Sequence, residues 1–308
     1  MLKRVFRRFR ALLSSRHLFG NWLSVALKYL LIRYGLTSGY VVVKCNNMVH
    51  RLCPSLYRFV VNNYHNRNIT DLHCAETITF RYMGIPFRVV PPCFAEFSYM
   101  GRWVRFFDPT PFLHDILFEV FYGWSYTELD VGGRVVVDVG AGIGDTAVLF
   151  LLRGAGRVVA LEPYPRLFDL ARINIRINGF EDRAELLNAA VACNDGHAYA
   201  SEDLFGYTLF RPAQHGRLIR TVTLRTVIEG YNIADGVLKM DCEGCEYQVF
   251  RCTDVDDLRR AFRQILVEYH SGPEPIASLL KSAGYDVVLR PMKTNVSAEK
   301  IGYIIARL

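Results

Sequence analysis

The chain has 308 residues, of which 51% are hydrophobic and 22% charged, and it carries a formal net charge of +7. This composition excludes global disorder and predicts a packed globular core. No stretch of roughly 18 or more apolar residues is free of charge, so we expect no membrane-spanning helix. Eight cysteines are too few in a chain of this length for a disulfide scaffold, and no secretory signal peptide is recognisable. We therefore expect a cytoplasmic protein.

The positive charge is concentrated at the start of the chain. Residues 1–70 hold 12 Lys or Arg and no Asp or Glu, whereas the remainder holds 25 basic and 30 acidic residues. A basic start beside an acidic remainder argues against a nucleic-acid groove across the whole protein. We expect no nucleic-acid partner.

A helix with an apolar side and a basic side is predicted within residues 3–34. Phe6, Phe9 and Leu13 lie on the apolar side. Arg4, Arg7 and Arg8 lie on the basic side. Two interpretations fit this pattern. The helix packs on the body of the protein with a solvated basic face, or residues 1–34 make a peripheral contact with a membrane surface.

Three regions are predicted from the change of pattern along the chain. Residues 1–38 form a basic helical segment, residues 39–125 a small β-rich region, and residues 126–308 a larger domain. The middle region contains the short β-rich runs YVVVK, TITFRYM, IPFRVV and FAEFSYM, separated by turns.

Strands and helices alternate after Gly133. The strands are apolar throughout, one of them is predicted over residues 184–191 (AELLNAAV), and the chain ends on the strands YDVVLR and KIGYIIARL. Apolar strands that alternate with helices are typical of a doubly wound sheet, and a loop too short for a crossover makes the last two strands antiparallel. The predicted fold class is α/β, with a doubly wound, mostly parallel seven-stranded sheet and a C-terminal antiparallel hairpin.

Three glycines follow the first of these strands at every second position. They are Gly140, Gly142 and Gly144 in VVVDVGAGIGDTA. A dinucleotide-binding turn has its third glycine three residues after the second, but here that position is Asp145. A carboxylate at the start of the helix would repel a pyrophosphate. The spacing therefore disfavours a dehydrogenase and indicates a cofactor without phosphate.

S-adenosylmethionine (SAM) is such a cofactor, and the strand ends offer groups that suit it. Asp138 ends the first strand and would face the ammonium group, while Glu162 ends the second strand, where a carboxylate can accept both ribose hydroxyls. Asn188 and Ala189 follow in the third strand and would border the adenine. Together with Asp145 and the three glycines, these are the predicted SAM-binding residues.

Five segments carry a resemblance to a known family. VVVDVGAGIGDTA, RGAGRVVALEPYP, LNAAVAC, VLKMDCEGCEY and LVEYH follow one another between Val135 and His270. In this order they resemble the FkbM family of methyltransferases, with Ala141 at a position where relatives often carry Asn. The resemblance implies transfer of a methyl group from SAM, usually to a hydroxyl oxygen of a sugar, a polyketide or a similar small molecule.

Four side chains at two strand ends are the predicted catalytic residues: Asp241, Glu243, Glu268 and His270. Ligands of open α/β sheets bind at the carboxyl ends of the strands. His270 is the predicted base because imidazole titrates near neutral pH. Asp241 would orient His270 or take the proton itself, whereas Glu243 could instead be a partner of a helix dipole. The main prediction contains no metal, and Mg²⁺ held by these four residues is the lesser alternative.

Two further alternatives concern the C-x-x-C pair and the function as a whole. Cys242 and Cys245 lack a second pair for a four-thiolate zinc site, so we expect packed small residues or a disulfide. The function predicted first is O-methylation of a hydroxyl on a small molecule or glycan. The alternative is a non-catalytic interaction module at a membrane surface that keeps the cofactor fold.

Overall fold

The computed structural model describes residues 13–108, 110, 112–200, 216–292 and 300–308. The chain divides into two compact units, Met1–His114 and Asp115–Leu308. The sequence predicted boundaries after residues 38 and 125 instead. Among the described residues, no helix is both long enough and apolar enough to cross a bilayer.

The first unit is built mainly from antiparallel strands. Its helices are α1 (Trp22–Arg33) and α2 (Pro54–His65). A two-stranded hairpin consists of β1 (Val41–Cys45) and β2 (Met48–Leu52). A five-stranded meander follows, with β3 (Ile69–Cys74), β4 (Ile78–Tyr82), β5 (Ile85–Val90), β6 (Phe94–Tyr99) and β7 (Arg102–Phe107). The short β-rich runs predicted after Gly39 thus form strands.

Helix α2 was not predicted, although its sequence carries the signal for one. Pro54 stands at the first helical position, where a missing N–H costs nothing. Leu56 and Val60, and likewise Tyr57 and Val61, are four residues apart and buried. The predicted N-terminal helix is only partly described: Phe6, Phe9, Arg4, Arg7 and Arg8 lie outside the described residues.

The second unit contains the predicted seven-stranded sheet, and the α/β fold class is confirmed. Its strands are β8 (Val135–Val139), β9 (Arg157–Leu161), β10 (Ala184–Leu187), β14 (Gly236–Met240), β15 (Phe262–Tyr269), β16 (Asp286–Pro291) and β17 (Gly302–Arg307). They lie in the order β10-β9-β8-β14-β15-β17-β16. Strand β17 runs opposite to the other six strands. The predicted C-terminal antiparallel hairpin is therefore present as β16 and β17.

Helices connect the strands. They are α3 (Asp145–Leu152), α4 (Pro165–Ile177), α5 (Leu224–Gly230), α6 (Glu246–Cys252), α7 (Val255–Ala261) and α8 (Glu274–Ser282). From β8 the chain runs outward to β9 and β10 and then returns to β14 on the other side of β8. The strand order therefore reverses between β8 and β14, which is where open α/β sheets form ligand crevices.

The strand predicted over residues 184–191 is broken in the structure. Strand β10 ends at Leu187, and β11 (Ala190–Val191) joins a separate three-stranded sheet with β12 (Gly196–Ala200) and β13 (Arg217–Val222). Between them the Asn188 side-chain amide donates to the carbonyl oxygens of Glu162 and Pro163 at 2.8 and 3.1 Å. This side-chain bonding competes with continuation of the ladder.

Six of the eight cysteines form disulfides, which corrects the expectation from their low number. The pairs are Cys45–Cys74, Cys193–Cys252 and Cys242–Cys245. Two of them join residues 29 and 59 positions apart, so the pairing depends on the fold and not on local spacing. Disulfides persist mainly in oxidising compartments, with hyperthermophile interiors as the exception.

Gly140→Ala should destabilise the second unit by about 2–4 kcal/mol. Gly140 has a φ of +77°, and an added Cβ would lie 1.7 Å from the carbonyl oxygen of Asp241. Gly154→Ala is the matched control, because Gly154 has a φ of +92° but nothing within 4 Å of an added Cβ. It should cost only about 1 kcal/mol. Urea unfolding with the disulfides intact measures both, and equal losses would contradict the close approach.

Candidate functional site

The glycine turn between β8 and α3 is tied to the end of β9. The backbone N–H groups of Gly140 and Ala141 both donate to the Leu161 carbonyl oxygen at 3.0 Å. Gly144 precedes α3 with a φ of +83°, and its missing side chain leaves room for Ala171 on α4. An added Cβ at Gly142, by contrast, would meet only the Asp145 carboxylate, at 3.8 Å. The turn therefore presents its open side at Gly142.

Glu162, the predicted ribose ligand, joins this turn to the chain after β9. Its Oε2 accepts a hydrogen bond from the Gly142 N–H at 2.9 Å, and its Oε1 accepts one from the Tyr164 N–H at 2.8 Å. Burial raises the pKa of Glu162 to about 8, against the opposing effect of these two N–H groups. Each oxygen keeps a second lone pair for a ligand.

Asp138 lies deeper than the sequence predicted. It is fully buried, its Oδ1 is 3.1 Å from the Lys239 ammonium, and its Oδ2 accepts from the Thr146 hydroxyl at 2.6 Å. Lys239 also donates to the carbonyl oxygen of Gly140 at 2.9 Å. The Asp138 carboxylate is therefore held inside the protein, where it supports the turn. Lys239 was missed because it stands within a strand that reads as apolar.

The other predicted cofactor residues lie around the same turn. Asp145 begins α3, and burial raises its pKa to about 7 while the Lys239 charge opposes that rise. Asn188 uses its amide to hold the end of β9, as described above, and Ala189 beside it is fully buried. Asn188 and Ala189 thus follow the carboxyl end of β10, next to Glu162.

All four predicted catalytic side chains meet at the ends of β14 and β15, together with Glu246. We call these five residues the His270 cluster. The ring nitrogens of His270 lie 4.0 Å from Asp241, 3.4 Å from Glu243, 3.3 Å from Glu246 and 3.8 Å from Glu268. The fold therefore brings the four predicted catalytic side chains close together.

Glu246 was not predicted as a site residue. Its side chain is fully buried, and Oε1 accepts from the backbone N–H groups of Cys242 and Gly244 at 3.0 and 3.2 Å. The same oxygen is 3.3 Å from His270 Nδ1. Glu246 therefore fixes the ring of His270 to the loop after β14, which the Cys242–Cys245 disulfide also closes.

Two buried tyrosines, Tyr126 and Tyr303, and a fourth glutamate, Glu119, surround the cluster. The Tyr126 hydroxyl lies 3.3 Å from Asp241 Oδ2 and 3.4 Å from Glu268 Oε2, and the Tyr303 hydroxyl donates to Glu119 at 2.7 Å. Burial, with the charge of Asp241, raises the pKa of Glu268 well above its ordinary value. Burial therefore favours the protonated form of Glu268. No local pattern identifies Tyr126, because its contacts are more than 100 residues away in the chain.

The surroundings of His270 change the role predicted for it. Burial alone would lower its pKa, but the hydrogen bond to Glu246 and the charges of Glu246, Asp241 and Glu243 raise it to about 9. An imidazolium cannot accept a proton, which argues against His270 as the base. Asp241 Oδ1 is itself buried and has no hydrogen-bond partner among the described groups, while the Asp241 side chain as a whole is 22% exposed. Asp241, which the sequence predicted as an alternative proton acceptor, therefore keeps an oxygen that no described group uses.

A cation could also be held in this cluster. Among the described residues, Asp241, Glu243 and His270 each offer one ligand atom, and these atoms lie within 4.8 Å of one another. Glu268, included in the predicted metal alternative, is not part of this group. Burial raises the pKa of Glu243 to about 7, together with the charge of Asp241.

Comparisons with known proteins bear on the second unit. A family model described as the methyltransferase FkbM domain matches residues 138–287. The FkbM methyltransferase of Methylobacillus flagellatus is 15% identical, with a TM-score of 0.40 over 56% of this chain and 43% of that one. The precorrin-6y C5,15-methyltransferase of Geobacter metallireducens is also 15% identical, with a TM-score of 0.38 over 60% of this chain and 85% of that one.

A curated relative matches a shorter stretch. It is the ribosomal protein L11 methyltransferase of Alteromonas mediterranea, 40% identical over 58 residues, which are 19% of this chain and 20% of that protein. The chain therefore matches only about a fifth of the length of this relative. The family match spans the glycine turn, Glu162 and the whole His270 cluster. Residues 138–287 are thus similar to the methyltransferase FkbM domain.

Proposed function

We propose that the protein is a SAM-dependent methyltransferase that methylates a hydroxyl group of a small molecule or glycan. One observation carries this proposal. The open glycine turn and the unpartnered Asp241 Oδ1 stand at the carboxyl ends of adjacent strands, β8 and β14. A cofactor turn and a proton acceptor are thus next to each other at the point where the strand order reverses.

The residues around the turn suit SAM. Gly142 leaves space where a side chain would otherwise stand, and Glu162 has free lone pairs beside it for ribose hydroxyls. Asn188 and Ala189 follow the next strand end and would border the adenine. When bound, SAM supplies an electrophilic methyl group. The half-buried carboxyl group of Asp145 at the helix start disfavours a pyrophosphate there.

The His270 cluster provides for removal of the acceptor's proton. As the acceptor oxygen takes the methyl group it must lose its hydrogen, and Asp241 Oδ1 receives it. His270, protonated and held by Glu246, lies 4.0 Å from Asp241 and offsets the charge of the nearby carboxylates. Tyr126 contacts the other oxygen, Oδ2, at 3.3 Å. The rest of the rate enhancement comes from holding the acceptor oxygen in line with the methyl group of SAM.

A metal-assisted version of the same reaction is the second candidate. It is supported by the closeness of the ligand atoms on Asp241, Glu243 and His270. Carboxylate oxygens suit a hard cation such as Mg²⁺, which would orient the acceptor oxygen and promote its deprotonation.

The wild-type protein should bind SAM and its demethylated product, and should bind NAD far more weakly. Glu162→Ala should weaken SAM binding by about 1–3 kcal/mol, because the ribose hydroxyls lose their hydrogen-bond partner. Glu185→Ala is the matched control, since Glu185 is an exposed carboxylate on the neighbouring strand β10. Isothermal titration calorimetry measures all of these affinities. NAD binding without SAM binding would refute the proposed cofactor.

Asp241→Asn should slow methyl transfer by ~10²–10⁴-fold while SAM affinity stays nearly unchanged. The assay follows labelled methyl groups from SAM to acceptors found by screening sugars and polyketide alcohols. Asp169→Asn on α4 is the control, because this carboxylate is exposed.

A near-normal rate for Asp241→Asn would remove Asp241 as the base. A chelator separates the two candidates: activity that collapses with EDTA and returns with Mg²⁺ would favour the metal-assisted reaction.

A further inference from the structure

Helix α1 of the first unit exposes apolar side chains where a surface helix normally exposes polar ones. Nine of its 12 residues, WLSVALKYLLIR, are apolar. Val25 and Tyr29 are buried on one side, whereas Leu23 and Leu27 on the opposite side are 66% and 60% exposed. A helix that is apolar all round is normally buried all round. One face of α1 therefore lacks a partner among the described residues.

The chain after α1 adds further exposed apolar side chains. Tyr34 and Leu36 are both largely exposed. The Lys28 ammonium donates to the Thr37 hydroxyl at 2.9 Å and to the Ser38 carbonyl oxygen at 3.2 Å. Because these two bonds tie the segment to the middle of the helix, Tyr34 and Leu36 are held close to α1.

The hairpin of β1 and β2 lies beside the start of α1. The Asn21 side chain donates to the Val42 carbonyl oxygen at 2.8 Å and accepts from the Lys44 N–H at 2.7 Å. On the exposed face of the hairpin, Val42 is the cross-strand partner of Arg51, and Lys44 is the partner of Val49. This face therefore sets apolar and basic side chains directly opposite each other.

The charge on this part of the chain has one sign. Residues 1–70 contain no Asp or Glu. None of the ion pairs among the described residues involves Arg33, Lys44 or Arg51. Exposed apolar side chains among unpaired basic ones complement an anionic bilayer, whose headgroups attract cations and whose acyl chains receive apolar groups.

We propose that the exposed face of α1, the segment after it and the β1–β2 hairpin form a docking surface for anionic lipid bilayers. Leu23 and Leu27 enter the boundary between headgroups and acyl chains, and Lys44 and Arg51 contact the negative headgroups. The sequence suggested a membrane contact through residues 1–34, on the strength of basic residues near its start. The surface proposed here extends beyond that segment and is carried by residues 21–51.

The test is co-sedimentation of the full-length protein with vesicles of phosphatidylcholine and phosphatidylserine at low salt. The wild type should bind, and its affinity should fall at least about tenfold without phosphatidylserine or in about 0.5 M salt. Leu23→Ser combined with Leu27→Ser should weaken binding about tenfold or more, and so should Lys44→Gln combined with Arg51→Gln. The assay contains neither SAM nor an acceptor, so its failure would not bear on the proposed function.

Matched controls change the same residue types in the second unit. Leu218→Ser combined with Leu289→Ser is the control for the leucine pair, since both leucines are exposed, on β13 and β16. Arg172→Gln combined with Arg176→Gln is the control for the basic pair, since both arginines are exposed on α4. Both control variants should bind vesicles as the wild type does.

Three results would overturn the proposal. They are a wild type that ignores anionic vesicles, vesicle binding that both pairs of substitutions leave unchanged, and a dimer in analytical ultracentrifugation that Leu23→Ser with Leu27→Ser dissociates while vesicles have no effect. Circular dichroism checks that the variants fold. If they do not, a photoactivatable phospholipid in vesicles with the wild type decides, and it must label residues 22–51.

Discussion

A buried ion pair between two neighbouring strands is the interaction on which the second unit depends. Lys239 on β14 stands directly opposite Asp138 on β8, and both side chains are almost completely buried. Two charges can be buried together only if further hydrogen bonds satisfy the lone pairs and protons that the pair leaves without a partner. The Lys239 ammonium meets this condition with Asp138 Oδ1, the Gly140 carbonyl at 2.9 Å and the Val139 carbonyl at 3.4 Å.

The pair fixes the places where both parts of the proposed chemistry occur. On one side it holds the carbonyl groups that lead into the glycine turn, and so the position of Gly142. On the other, the ammonium lies 5.7 Å from the ring of Tyr126, whose hydroxyl contacts Asp241 and Glu268. The close approach of Gly140 to the Asp241 backbone joins the two sides, because no side chain fits between them.

Much of the second unit could be predicted from the sequence, since its signals are local. Apolar strands, the glycine spacing and carboxylates after strand ends place Glu162, Asp241 and His270 at one edge of one sheet. Contacts between distant segments have no such signal. Lys239 is hidden in an apolar strand, and Tyr126 precedes the alternation of strands and helices. The protonation of His270 depends on Glu246, which stands at the same strand ends but was given no role from the sequence. For the same reason, the Cys45–Cys74 and Cys193–Cys252 disulfides could not be predicted from spacing, whereas a disulfide was one of the two expectations for Cys242 and Cys245.

A double-mutant cycle on Asp138 and Lys239 tests the central claim most directly. Lys239→Met leaves a buried carboxylate without its partner, and should lower the free energy of unfolding by about 3–5 kcal/mol. The same variant should speed amide hydrogen exchange at Gly140–Gly144. Adding Asp138→Asn to Lys239→Met should restore a large part of both losses, because the uncompensated charge is then gone. Additive losses, or a Lys239→Met protein as stable and as protected at the glycine turn as the wild type, would contradict the account.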